Sequence, residues 1–164
     1  MSDKTVENKE KFEDIRLDKK VKVRSIAPWV TGSSRKTTNG DLSIPAKGTA
    51  LVTRDEIISQ AQNGNKLLTG IDGEGSHAHW YIEDEYCRTE LGFDTEDKKQ
   101  NFLHEDIIKK IFDAKSQKSF EEKIKEHVIT RAEKAFLMDC IETLKINDYK
   151  KISFCVNYTG MKMK

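Results

Sequence analysis

Neither basic nor acidic residues are in excess in this chain of 164 residues, because 29 lysines and arginines stand against 28 aspartates and glutamates. The formal net charge of +1 lacks the strongly basic footprint that is typical of nucleic-acid-binding domains. No apolar run approaches the roughly 18 residues of a membrane-spanning helix, and no apolar N-terminal stretch indicates a secretory signal. We therefore expect no membrane partner and a location in the cytoplasm.

Cysteine is also scarce. Cys87, Cys140 and Cys155 are the only three, and no two of them have the spacing of metal ligands. An odd number of widely separated cysteines predicts reduced thiols rather than a disulfide framework. The composition predicts no cofactor.

The first 20 residues hold 12 charged side chains of both signs, which is too polar a composition for independent folding. Phe12, Ile15 and Leu17 are spaced so that they can anchor on a groove of another protein. We expect residues 1–20 to form an arm that binds a neighbouring subunit.

Residues 21–93 are expected to form a β-rich domain. Val21 and Val23 alternate with polar residues, and Asn39-Gly40 is a strong turn signal between residues 28–31 and 41–44. A tight turn is expected at residues 45–48. Thr53 and Glu56 have the spacing of a capping box and predict one inserted helix, with Ile57, Ile58 and Ala61 buried and Gly64 at its end. Residues 66–71 and 77–82 then resemble two strands of a hairpin.

Residues 94–164 change to a helical period and predict a helical segment that packs on the β-rich domain or extends from it. Capping boxes are expected at Ser119 and Thr130. Residues 147–159 fit either a strand or a helix, and we favour a helix. The fold class is therefore α+β: a small antiparallel sheet or partial barrel with one inserted helix, followed by three or four helices. The residues expected to be buried in the helical segment are Ile107, Ile111, Phe136, Leu137, Ile141 and Leu144.

The run GIDGEGSHAHWYIEDE, residues 70–85, holds the most suggestive chemistry. On a strand, His77 and His79 would share one face with Glu83 nearby, which is a sound set of ligands for a divalent metal. The run HAHWYIE, between a glycine-rich turn and Gly92, resembles the first metal motif of cupins, and this resemblance implies a metal-dependent enzyme. Cupins add a second histidine motif on a later strand, whereas His104 and His127 lie in predicted helices here.

We favour a hairpin strand for the same run. Ala78, Trp80 and Ile82 would then face the core, while the face that carries His77, His79, Glu83 and Tyr81 would meet solvent or a partner. The G-x-G-x-x-A pattern at residues 73–78 also matches a dinucleotide-binding motif. That motif needs a helix to begin there, and the following residues predict a strand.

The absence of a catalytic motif favours a non-catalytic structural or interaction protein with protein partners or self-assembly. The short, lysine-rich chain of mixed charge is similar in style to small phage proteins, which suggests an accessory subunit of a virion, either capsid-associated or of connector type. Its expected location is then the cytoplasm of a host cell or the virion. One alternative is a nucleic-acid-binding or regulatory module that uses loop residues such as Arg35 and Lys36 and stacks bases on Trp29, Trp80 and Tyr81. The other is the metal-dependent enzyme.

Overall fold

The computed structural model describes residues 15–163, and within them five short strands form two antiparallel sheets. The strands are β1 (Lys20–Ser25), β2 (Thr31–Ser34), β3 (Asp41–Ile44), β4 (Thr49–Thr53) and β5 (Trp80–Ile82). β1 lies between β4 and β5 in a three-stranded sheet, and β2 pairs with β3 in a two-stranded sheet.

The alternation in β1 sets the face that the larger sheet buries. Val21 and Val23 are buried and Lys22 between them is exposed, as the sequence predicts. Val21 lies opposite Val52 on one neighbouring strand, and Val23 lies opposite Ile82 on the other. The buried face is therefore continuous across all three strands.

Both turns that the sequence predicts in this region are confirmed. Gly40 has a φ of 102°, and its carbonyl accepts a hydrogen bond from the amide of Arg35 at 2.9 Å. The amide of Gly48 donates to the carbonyl of Pro45 at 3.0 Å, which closes the turn before β4. The two sheets are joined where the indole N–H of the buried Trp80 donates to Thr31 Oγ1 at 2.7 Å.

Helix α1 (Arg54–Gln62) begins where the sequence predicts it, because the Thr53 hydroxyl accepts from the amide of Glu56 at 3.2 Å. The helix stops at Asn63, and Gly64 follows with a φ of 77°. Ile57 is buried, whereas Ile58 and Ala61 are only half-buried.

The predicted hairpin over residues 66–82 is wrong in its first strand. Residues 66–69 form a short helix, α2 (Lys66–Thr69), because the side chain of Asn65 accepts a hydrogen bond from the amide of Leu67 and caps the first turn. Leu68 is the buried residue of this helix. A loop follows until β5 begins at Trp80, and a second unpredicted helix, α3 (Glu85–Glu90), comes directly after β5. An apolar pair in four residues does not distinguish a strand from a helical turn, so the capping residue decides.

Four helices lie within residues 94–163: α4 (Glu105–Phe112), α5 (Gln117–His127), α6 (Arg131–Thr143) and α7 (Tyr149–Thr159). The capping box at Thr130 is confirmed. The box at Ser119 is wrong, because α5 is capped three residues earlier by Ser116. The helix favoured for residues 147–159 is confirmed as α7, which ends at Gly160 with a φ of 68°. Together with the small antiparallel sheets, these helices confirm the α+β class.

Two hydrophobic clusters form the core. One lies between the sheets and α1, and the other lies among the four long helices. Ile26 and Ala27, which follow β1, belong to the helical cluster, so the helical segment packs on the β part. Of the residues expected to be buried, Ile111, Phe136, Leu137 and Ile141 are buried, while Ile107 and Leu144 are half-buried.

The residues before β1 are tied to the start of α1. The carbonyls of Leu17 and Lys19 accept hydrogen bonds from the amides of Asp55 and Arg54, at 2.9 and 3.0 Å. Lys20, which we assigned to the arm, opens β1. No helix within residues 15–163 is long and apolar enough to cross a membrane.

A candidate binding cleft between the sheet and the helices

A cleft runs along the junction of the β part and the helical segment. It consists of two neighbouring cavities, of about 340 and 140 Å³, that share Phe102 and Leu103 in their walls. The larger cavity extends towards Arg24 and Lys47, and the smaller one extends towards His77. Junctions between packed layers are common places for binding sites in proteins.

Phe102, in the wall that the two cavities share, belongs to an aromatic stack. The ring of Phe102 lies almost parallel to that of Tyr81, with 4.8 Å between the ring centroids. The guanidinium carbon of Arg88 lies 5.1 Å from the centroid of the Tyr81 ring. Tyr81, which we expected to meet a partner, is therefore half-buried and in contact with two side chains of its own chain.

The smaller cavity contains a histidine held by a buried carboxylate. His77 Nδ1 lies 2.9 Å from both carboxylate oxygens of Glu133, whose side chain is only 4% exposed. Glu133 also accepts from the amides of Ile129 and Thr130, because it closes the capping box of α6. A single carboxylate thus caps a helix and fixes a loop residue of the β part.

The pairing with Glu133 sets the tautomer of the neutral His77 ring. A carboxylate only accepts hydrogen bonds, so Nδ1 carries the proton and Nε2 carries a lone pair in the neutral ring. Within residues 15–163 no protein group bonds to Nε2. The backbone of His77 has a φ of 55°, a conformation that few residues other than glycine adopt. The ring is thus placed by both its backbone and its carboxylate partner.

His79 lies nearby and stays neutral more readily than an exposed histidine. Burial lowers the pKa of His79, and the charge of Glu133 opposes this shift only in part. His127 at the end of α5 and Asn101 also line the smaller cavity. Asn101 and His127 give one side of the cavity a polar surface.

The structure does not bring together the three residues named for the alternative of a metal site. The expected shared strand face of His77 and His79 is wrong, because β5 begins only at Trp80 and His77 lies in the preceding loop. Glu83 bonds instead to the guanidinium of Arg24 at 2.8 Å. Across residues 15–163 no group of three or more histidine, cysteine, aspartate or glutamate side chains is placed to hold a metal ion. The expectation that Ala78, Trp80 and Ile82 face the core is confirmed.

A second candidate surface is the loop between β2 and β3, which the sequence indicated only through Arg35 and Lys36 in the nucleic-acid alternative. The carboxylate of Glu56, 1% exposed, accepts from the amides of Lys36 and Thr37 and from the Thr37 hydroxyl, at 2.9 to 3.3 Å. The amide of Gln60, fully buried, donates to the carbonyl of Ser34 at 2.8 Å. The sequence assigned Glu56 to a capping box, and only the fold shows that it holds a distant loop.

Two of the three arm residues that we expected to contact a partner are among the described residues. Ile15 is half-buried and Leu17 is 48% exposed. Phe12 lies outside the described residues.

No protein-family model, curated protein or solved structure matches the chain.

Proposed function

We propose that the protein is a non-catalytic interaction protein that serves as an accessory subunit of a larger assembly, such as a phage virion. The observation that carries this proposal is the surface loop of residues 35–40, whose amides at Lys36 and Thr37 donate to the buried Glu56. The buried Gln60 donates to the carbonyl of Ser34 directly before the loop. Lys36, Thr37, Thr38 and Asn39 remain exposed on it.

A buried carboxylate is unfavourable unless hydrogen bonds compensate for its lost hydration. Most of the donors to Glu56 belong to the loop, so the loop conformation and the buried Glu56 side chain stabilise each other. A surface loop fixed in this way loses little conformational entropy when it binds. Rigidly held exposed loops are a common form of recognition surface.

The charge of the loop indicates the kind of partner. The side chains of Arg35 and Lys36 form no ion pair with any residue in the described range 15–163. An acidic patch on another subunit would complement them and would steer association. The placement in a virion is supported by the sequence alone, through its short, lysine-rich and mixed-charge style.

The nucleic-acid alternative has less support. Trp80 is fully buried and Tyr81 is stacked on Phe102, so two of the three side chains that would stack on bases are engaged within the protein.

Gradient sedimentation tests the proposal in lysates of cells that produce the protein naturally. We expect the protein in a fast-sedimenting fraction, and we expect the Arg35→Glu/Lys36→Glu variant near the position of the free chain. The matched control is Lys66→Glu/Lys118→Glu, which makes the same change of charge at two exposed helical positions. Removal of residues 2–14 tests the arm in the same gradient.

Sedimentation of the wild-type chain as a free monomer would refute the proposed function. Equal sedimentation of the loop variant and its control would show that the loop is not the contact.

A further inference from the structure

The smaller cavity of the cleft combines a flat apolar wall with hydrogen-bond acceptors. We propose that it binds a guanidinium or amidinium group, carried either by a free small molecule or by an arginine side chain of a peptide. The side chains that carry this inference are His77, Phe102, Glu126 and Glu133. The inference is independent of the loop at residues 35–40 and of the proposed assembly.

The size of the cavity fits one planar group. Its volume of about 140 Å³ is close to that of an engineered cavity of about 150 Å³ that takes up benzene. A guanidinium group has a similar flat shape and is smaller, so it fits without displacing the walls.

The polar lining of the cavity includes hydrogen-bond acceptors and two carboxylates. In the neutral ring of His77, Nδ1 donates to Glu133 and Nε2 is left as an acceptor. Glu126 is exposed at the rim, and it forms no ion pair within residues 15–163. No lysine or arginine lines the cavity. A guanidinium group has only donors, so it matches this set of acceptors.

The apolar wall distinguishes a planar cation from an ammonium ion. Phe102 already forms one layer of a stack in which Arg88 lies over Tyr81 and Tyr81 lies against Phe102. Guanidinium groups stack on aromatic rings, whereas an ammonium ion is compact and more strongly hydrated. The carboxylates of Glu126 and Glu133 disfavour any anion.

Titration with methylguanidinium, followed through the histidine side-chain resonances, tests the inference on the full chain. We expect saturable shifts of the His77 and His127 signals. Methylammonium is expected to bind more weakly, and acetate is expected to leave both signals unchanged. Absence of saturable shifts with methylguanidinium, or equal shifts with acetate, would overturn the inference.

Variants locate the binding. Glu126→Gln, at an exposed position, should weaken the binding of methylguanidinium by about two- to fivefold, which is the range of a solvent-exposed ion pair. Glu122→Gln on the same helix is the matched control and should leave the affinity unchanged. Phe102→Leu should remove the preference for methylguanidinium over methylammonium. Equal affinity of the wild type and Glu126→Gln places binding elsewhere and overturns the inference.

A short peptide with a single arginine separates the two sources of the group. Tighter binding of the peptide than of methylguanidinium supports an arginine of a partner. Binding of methylguanidinium alone supports a small molecule. A lysine peptide that binds as well as the arginine peptide would overturn the inference.

Discussion

At the scale of single residues, the buried carboxylates link parts of the chain that are distant in sequence. Glu133 joins α6 to the loop before β5, and Glu56 joins α1 to the loop between β2 and β3. Each accepts several hydrogen bonds, which compensates for the cost of burying its charge. Their removal is therefore expected to destabilise more than the loss of one helix cap.

Glu133→Ala should lower the free energy of unfolding by about 2–4 kcal/mol, since it breaks the capping box of α6 and leaves three part-buried donors without this acceptor. Urea denaturation measures the change as a lower midpoint with an unchanged slope. Glu122→Ala, at an exposed position of α5, is the control and should change the stability by less than about 0.5 kcal/mol. A loss for Glu133→Ala as small as that of the control would contradict the role assigned to Glu133.

The buried thiols make the stability depend on pH in alkaline solution. Burial raises the pKa of the Cys155 thiol from 9.0 to about 12. The unfolded chain therefore releases this proton first, so the stabilisation is complete below pH 9 and is lost as the pH rises towards 12. Cys155→Ala should reduce the slope of stability against pH in this window by about 1.4 kcal/mol per pH unit. Parallel stability curves for the two proteins would show that the thiol ionises equally in both states.

At the scale of secondary-structure elements, local hydrogen bonds decide where each helix begins. The three predicted capping boxes had different outcomes. Thr130 and Glu133 form the full box, Thr53 caps α1 while Glu56 turns to the loop, and Ser119 lies inside α5. Helix α5 begins earlier because the Ser116 hydroxyl accepts from the amide of Ser119 at 3.1 Å.

The two serines give a direct test of this start. Ser116→Ala should destabilise the protein by about 1 kcal/mol, because it removes the acceptor for an amide of the first turn. Ser119→Ala should change the stability by less than about 0.5 kcal/mol, since alanine is a better helix former than serine. Thermal unfolding of both variants measures the difference. A larger loss for Ser119→Ala would restore the helix start that the sequence predicted.

At the scale of the whole molecule, the two hydrophobic clusters are held together across one junction. Ile26 and Ala27 follow β1 but pack among the helices, and Phe102 precedes α4 but stacks on Tyr81 of β5. The side chains of Lys47 and Asp139 form an ion pair across the same junction. We therefore expect the β part and the helical segment to unfold together.

Phe136→Ala tests this coupling. Phe136 is 8% exposed in the helical cluster, and its truncation should cost about 3–5 kcal/mol. Tryptophan fluorescence reports the β part through the buried Trp80 and the junction with α6 through Trp29, whose ring centroid lies 5.8 Å from the Arg131 guanidinium carbon. Far-ultraviolet circular dichroism reports mainly the helices. Both signals should shift to the same lower midpoint. Fluorescence that keeps its wild-type midpoint would show that the two parts unfold independently.

The sequence by itself determined the features that depend on neighbours along the chain. Alternation marked the buried face of β1, Asn39-Gly40 marked its turn, and the 3.6-residue period marked most of the helical core. These signals are local, because the backbone geometry of a strand, turn or helix fixes which nearby side chains share a face. The α+β class followed from their order.

Only the tertiary structure decided which distant side chains meet. His77 pairs with Glu133 rather than with His79 and Glu83. Glu56 accepts hydrogen bonds from a loop about 20 residues earlier in the chain, and Phe102 stacks on Tyr81. No spacing in the sequence encodes these contacts, because each depends on how the sheet and the helices pack. The short helix α2 was missed for a related reason, since a few residues bear no period and one capping side chain set their conformation.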